Sequence, residues 1–548
     1  MSIRSESAKQ FFELQLRERF FKIYSKFSNR EIIIWGTGNY GKFICNLLKS
    51  FNMSKNIKGF CNTYHDDSKV VYVEDLLEFS PKSAIAQYPN AVYIIASDYA
   101  DDILEYIKNS EFAFIETYVS DYYTNLLERQ LIYYTHLPDP QTVVAFNYKS
   151  SVQAQKHYQE VISDIKHSGR KRINFAAYVV FDSSYGMDEA FQLMMNDPEK
   201  WNPKIVVIPD VARGKDHEIA TYVKTKEFFV RHYGEDYVID GYDIKKDTYI
   251  DPIDQFDIVY YANPYDSMTD YCHSIQYAAT KHVLPIYVSY GYDVGHYTTL
   301  SRLQNPELNL VWKCFVDTVY TFQDYKKYQI FKGENVSLVG YSKMDKFDSQ
   351  KRVDNSRKKI LITPHHTVNM PSLPLSNFLS YYDLILQLPE MFPDIDFVFR
   401  PHPLLFTALI NHNFWTKEQV NDYLDKLQAM GVEYSYGGDY LSLYSECDAI
   451  INDCGSFTVE WLFTGKPGCF VYNEKLKDKH LTLLMQKAIG AYDIAHSRED
   501  IIDFIKKVEK NEYQCNNRMQ DWVKENIAIN YPDVSSHIIQ EIDILGSK

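Results

Sequence analysis

One repeated unit constrains this chain more than any other feature: a short apolar, β-branched run, a polar or glycine-bearing turn, then a helical segment. It recurs from Glu31-Ile-Ile-Ile-Trp35 to Gly468-Cys-Phe-Val471. Such alternation predicts parallel sheets joined by right-handed crossovers, an α/β fold. In open sheets of this kind, ligands bind where the carboxyl ends of strands meet the next helices.

The runs fall into three series. Glu31–Trp35, Ile57–Phe60 and Val92–Ser97 form the first. Lys171–Phe181, Lys204–Ile208, Phe256–Tyr261 and Leu284–Val288 form the second, and Lys358–Thr363, Phe397–Phe399, Ala449–Ile451 and Gly468–Val471 the third. A chain of 548 residues exceeds one core. The expected domains are 1–130, Rossmann-like with an amphipathic leading helix, then 131–345 and 346–548. The last two, with their loops facing a shared cleft, describe a GT-B pair of Rossmann-like domains. Residues 115–170 read as helical and polar, broken at Pro138-Asp-Pro140, and helices near 499–508 and 516–545 end the chain.

A net charge of −15 leaves no basic excess for a nucleic-acid backbone. The eight cysteines make no zinc spacing and several lie inside apolar strands, which points to a reducing cytoplasm. No apolar run approaches the length of a membrane span. Over 8–29, Phe12, Leu16, Phe20, Ile23 and Phe27 share a helical face, with Arg17, Arg19, Lys22 and Lys26 among them. Packing on the following domain or a second subunit is the favoured use of that face. Peripheral contact with the inner side of the cytoplasmic membrane is the other.

The first strand leads into Gly36-Thr-Gly38-Asn-Tyr-Gly41-Lys42, the glycine order of a dinucleotide turn in its strand–turn–helix context. After the second strand, where an acid would hold a ribose, stands Cys61-Asn62, with Asp66 and Asp67 too far on. Gly36, Gly38 and Gly41 are therefore nucleotide-binding candidates only, and NAD is not expected. This fragment resembles small Rossmann-like domains attached to bacterial polysaccharide-biosynthesis proteins.

The third series carries the densest chemistry: Thr363-Pro364-His365-His366-Thr367, Arg400-Pro401-His402-Pro403, and Asp453-Cys454-Gly455-Ser456 with Thr458, Glu460 and Gly465-Lys466-Pro467. Arg400 offers a planar multi-donor cation for phosphate. His402, held between prolines, can donate to a leaving phosphate or carry a proton near neutral pH. Gly455 allows close backbone approach, Ser456 adds a hydroxyl at a helix start, and Glu460 can accept from ribose hydroxyls. Asp453 and Ser456 are equally able to serve as helix caps, and the Arg400–Pro403 segment as a rigid loop. No acidic cluster announces a metal site and none is assigned. Mg²⁺ accompanying a pyrophosphate remains compatible.

These elements are similar to the C-terminal half of the CDP-glycerol glycerophosphotransferase family, the teichoic-acid and capsule polymerases of bacteria. The resemblance runs over roughly 150–545 and takes in Asp182-Ser183-Ser184, Tyr261-Ala-Asn-Pro264-Tyr265-Asp266 and Ile286-Tyr-Val-Ser-Tyr290-Gly291-Tyr292. It implies a GT-B-like transferase that moves glycerol phosphate, or a related alditol phosphate, from a CDP-activated donor to a hydroxyl of a glycan or glycolipid. CMP is released. Donor contacts then fall to His365, His366, Thr367, Asp453, Gly455, Ser456, Thr458, Glu460 and Lys466, with Arg400 and His402 catalytic. Asp182, Ser183, Ser184, Tyr265, Tyr290 and Gly291 line the acceptor side. Wall-polymer members carry a His-Gly pair where this chain has Tyr290-Gly291, so the base passes to Asp293 or His296. Two other readings stay open: a GT-B glycosyltransferase using a nucleotide sugar in capsule or lipopolysaccharide synthesis, and a non-catalytic scaffold of a polysaccharide-assembly complex.

Overall fold

A computed structural model of the chain describes residues 24–97, 99–119, 148–303, 306–329, 331–347, 357–437, 440–513 and 517–546. The leading helix expected over 8–29 lies mostly outside the described residues, and only the short 3₁₀ turn Ser25–Phe27 is seen of it. Two compact units emerge, Met1–Phe146 and Asn147–Lys548.

The first unit is a six-stranded sheet in the spatial order Tyr72–Val73, Leu76–Phe79, Ile57–Cys61, Ile32–Trp35, Val92–Ile95, Glu116–Val119. All pairings are parallel except the Tyr72–Val73/Leu76–Phe79 hairpin. The central strand buries every side chain. Ile32 and Ile34 pack with Ile44 and Leu48 of the helix Asn39–Ser50, while Ile33 and Trp35 pack with Ile85, Ile103 and Ile107 on the other face. Strand alternation thus feeds two helical layers. Glu116–Val119 is an edge strand where the polar composition predicts helix: Thr117 and Val119 are β-branched, and pairing with Val92–Ile95 decides the matter. The helix Tyr148–His167 does form.

Two of the three glycines in the first turn serve its own packing. A Cβ on Gly36, at φ 128°, would meet Ala96 O at 2.3 Å, and one on Gly41 would meet Gly36 O at 1.8 Å. Gly38 faces open space. At the ribose position, Asn62 donates to Glu78 at 2.9 Å, and His65 Nδ1 lies 3.0 Å from the same carboxylate oxygen.

The second unit holds two parallel Rossmann-like sheets, the GT-B pairing. The first runs Val336–Leu338, Lys313–Val316, Leu284–Val288, Ile258–Tyr261, Ile173–Val179, Trp201–Val207, Val238–Asp240. The second runs Glu433–Tyr434, Ile395–Phe399, Lys358–Thr363, Ala449–Asn452, Gly468–Val471, Asp493–Ala495. In each, chain order reverses beside the opening strand, between Ile173–Val179 and Ile258–Tyr261 and between Lys358–Thr363 and Ala449–Asn452. Such reversals leave a crevice at the strand ends. The final helix, Val534–Ile542, is expected within 346–548 but returns to the first sheet. Asp345 accepts from the Val534 and Ser535 N–H groups at 3.1 and 2.7 Å, Lys313 donates to Glu541 at 2.5 Å, and Lys200 pairs with Asp543. Among the described cysteines, all but Cys272 are buried and none is disulfide-bonded.

Candidate functional site

The site begins at the crevice of the second sheet. Backbone bonds continue past the strands: Arg400 N–H donates to Ile362 O at 2.8 Å and His402 N–H to Pro364 O at 2.9 Å. This extension carries His402 beside the turn that follows Lys358–Thr363. Across the crevice, Asp453 is fully buried and accepts from the N–H groups of His365, at 2.6 Å, and Asn377, at 2.7 Å. The strand pair, the carboxylate and the proline-flanked turn together fix three imidazoles.

Those rings form one cluster. Centroids lie 4.3 Å apart for His365 and His366, 5.0 Å for His365 and His402, and 4.1 Å for His366 and His402. One ring nitrogen from each falls within 4.8 Å of the others. His365 Nδ1 contacts Thr367 Oγ1 at 3.0 Å, and that hydroxyl also accepts from Ser376 N–H. His402 Nδ1 accepts from Leu404 N–H at 3.1 Å, so the neutral ring carries its proton on Nε2. His366 Nδ1 is buried without a hydrogen-bond partner.

Burial holds these rings neutral, because desolvation penalises the charged form. It pushes His402 down to about 3 and His366 to about 4, and with its two neighbours it pushes His365 well below the usual imidazole range. Near neutral pH His402 is thus a neutral donor–acceptor, which keeps the expected donation to a phosphate and disfavours proton carriage. Sequence spacing assigns no metal site, whereas the fold gathers three potential ligands from two strand ends.

Several residues read as donor contacts, or as catalytic, bond within the protein. Arg400 donates to Ser435 Oγ at 2.7 Å and Gly437 O at 3.0 Å and lies 5.5 Å from the Tyr440 ring, so it holds that loop. Lys466 Nζ donates to the carbonyls of Tyr444, Ser445 and Cys447 at 2.7–2.9 Å, closing the end of the helix Leu441–Glu446. Thr458 is buried and donates to Asn452 Oδ1 at 2.7 Å. Thr367 orients His365, and Asp453 ties two loops. Glu460 is buried and accepts from Tyr444 OH at 3.0 Å, which leaves its ribose role unsupported. Burial also pushes its carboxyl above the usual range.

Facing these loops is the carboxyl end of the first sheet. A Cβ on Gly291 would come within 3.2 Å of Ser456 Oγ, and one on Gly455 within 2.9 Å of Val294. Thr482 Oγ1 donates to Asp293 O at 2.6 Å. The Tyr290-Gly291 turn and the helix start at Gly455-Ser456 therefore confront each other directly. Ser183 is exposed and its carbonyl accepts from Lys343 Nζ at 2.8 Å, while Ser184 is buried and donates to Phe181 O. Asp182 and Tyr265 are half-buried.

Of the two expected bases, one is held in an ion pair. Asp293 is buried in an ion pair with Arg302, itself buried and 5.8 Å from the Tyr290 ring. His296, half-buried, lies 6.0 Å from the Tyr328 ring, and burial with Lys327 lowers its pKa. Sequence reasoning missed Lys343. Burial pushes its amine down to about 8, against the opposing pull of Glu460 and Asp182. The available signal was a lone lysine in Gly340-Tyr341-Ser342-Lys343-Met344, just after the last strand of the first sheet.

No protein-family model and no curated protein matches the sequence. Among solved structures, the chain is similar to the wall teichoic acid polymerase TagF soaked with CDPG, at 13% identity and TM-score 0.45, covering 71% of this chain and 93% of that one. It is also similar to the UDP-GlcNAc 2-epimerase of Neisseria meningitidis bound to UDP-GlcNAc, at 14% identity and TM-score 0.40, covering 67% and 98%. The UDP-GlcNAc 2-epimerase of Methanocaldococcus jannaschii stands at 11% and 0.42, covering 68% and 99%. Superpositions this loose leave function to be read from the site.

Among the described residues, no helix is long and apolar enough to cross a membrane.

Proposed function

We propose that the chain is a transferase that takes a CDP-activated alditol phosphate, glycerol phosphate in the simplest case, and passes it to a hydroxyl of a cell-surface glycan or glycolipid. The observation that carries this is the imidazole cluster at the crevice of one sheet, beside a helix start, Gly455-Ser456, that the Tyr290-Gly291 turn of the other sheet meets directly. That arrangement suits a diphosphate on one side and an incoming hydroxyl on the other. Phosphoryl transfer asks chiefly for positioning and charge stabilisation, and preorganised donors in a water-poor crevice supply both.

In the reaction, the acceptor oxygen bonds to the distal phosphorus and the bond to the bridging oxygen breaks. CMP leaves with the electron pair. The hydroxyl proton passes to Lys343, whose amine is part-neutral at pH 7–8 and is held at the acceptor side by Ser183 O. His365, His366 and His402 line the diphosphate, and Ser456 lies between the two substrates.

The test is turnover by the purified chain with CDP-glycerol, CDP-ribitol or several nucleotide sugars, each with cell-envelope acceptor. CMP released from a CDP-alditol is the expected result. Release of a nucleoside diphosphate from a nucleotide sugar, with none of CMP, would replace this reading by glycosyl transfer. Silence with every donor would leave the scaffold reading in its place.

A further inference from the structure

We infer that His365, His366 and His402 form a binding site for one divalent transition-metal ion of the zinc class. Three imidazoles meet where two strand ends converge, with one nitrogen from each inside 4.8 Å. A metal at about 2.0–2.1 Å from each of three tetrahedrally arranged nitrogens sets ring centres about 5 Å apart. One observed separation, 5.0 Å, lies near that value, and the 4.3 and 4.1 Å pairs need to open by roughly 1 Å or less.

The surroundings of two of the rings support this assignment, and the third can be brought to it. Thr367 Oγ1 stands 3.0 Å behind His365 Nδ1, the outer contact that fixes a ligating imidazole and leaves Nε2 for the ion. That Nε2 has room beside it at Gly455, whose added Cβ would lie 3.9 Å away. His366 Nδ1 is a buried polar atom with no protein partner, a costly state that a metal bond relieves. His402 binds through Nε2 by moving its proton to Nδ1, which gives up the 3.1 Å contact with Leu404 N–H. Imidazole ligands of this number favour zinc, cobalt, nickel or copper over magnesium or calcium.

The ion also answers a charge problem, and this role alone rests on the proposed function. A diphosphate brings several negative charges, yet the cation expected beside it, Arg400, donates to a serine and a protein carbonyl. A metal held by three neutral side chains keeps its full charge and an open position for a phosphate oxygen.

The experiment uses the full chain, stripped with chelator and titrated with Co²⁺, then competed with Zn²⁺. One Co²⁺ per chain with visible d–d bands is expected, displaced by one Zn²⁺. His366→Ala and His365→Ala should each weaken Co²⁺ binding by at least about tenfold, as loss of a ligand exceeds the usual effect of losing its outer support. X-ray absorption of the zinc-loaded wild-type chain, which needs no variant to fold, should count three imidazole nitrogens. No Co²⁺ uptake by the wild-type chain, fewer than two imidazoles at zinc, or unchanged binding in the triple His→Ala variant would overturn the inference. None of these readouts depends on turnover, so failure here and failure of the transferase reading are separate results.

Discussion

Asp453→Ala removes the one acceptor shared by two loops of the crevice. The carboxylate takes the N–H of His365 at 2.6 Å and of Asn377 at 2.7 Å, with Tyr381 OH at 3.4 Å, in a fully buried position. Each N–H left without a partner costs about 1–3 kcal/mol. The tyrosine contact is long and adds little, and losing a buried carboxyl returns part of its desolvation. The expected loss is about 3 kcal/mol, a large share of the 5–15 kcal/mol typical of a folded protein. Asp453→Asn keeps one acceptor and turns an amide toward the second N–H, so about half that loss is expected. The assay is urea unfolding followed by tryptophan fluorescence. The two variants also differ from wild type in pH dependence. Burial pushes Asp453 up to about 7, above an unfolded value of about 3.9. Between these values the native chain holds a proton that the unfolded chain has released, so this contribution is complete below pH 4 and lost as pH rises through 7. The advantage of wild type over Asp453→Asn should therefore be larger at pH 5 than at pH 8. A gap that widens with pH, or an Asp453→Ala loss under about 1 kcal/mol, would refute the reasoning.

Lys466→Met should lower the melting temperature, since three carbonyls lose their donor, while leaving nucleotide affinity unchanged; weaker CDP binding in calorimetry would restore its sequence-derived role. Arg302→Met strands buried Asp293 without its cation, and a loss of about 3–5 kcal/mol is expected by chemical denaturation, with a further Asp293→Asn change recovering part of it.

Much of the architecture was legible because strand periodicity and strand-end motifs are local. Phe397-Val-Phe399 and Ala449-Ile-Ile-Asn452 could only be strands, and the residues after them do meet at one crevice. Partner choice was not legible. Whether Arg400 or Lys466 faces a ligand or a carbonyl is set by Ser435 and Gly437 and by the end of the helix Leu441–Glu446, brought in by tertiary packing. The same holds for His366 and His402, whose contact joins separate strands, and for Lys343, which acquires neighbours from both sheets. Glu116–Val119 shows the limit for short elements, since an edge strand of four residues takes its identity from the strand it pairs with.

The chain passes between the two sheets of the second unit once after Val336–Leu338 and again before Val534–Ile542. Those passages touch: Asn530 Nδ2 donates to Val339 O at 3.1 Å, Tyr531 OH bonds Phe347 O, and a Cβ on Gly340 would strike Ile529 O at 2.1 Å. Two segments bonded side by side hold the halves together more firmly than a single crossing would. At Gly291 and Ser456 the same halves meet again, and a glycine there lets them do so without a side chain between them.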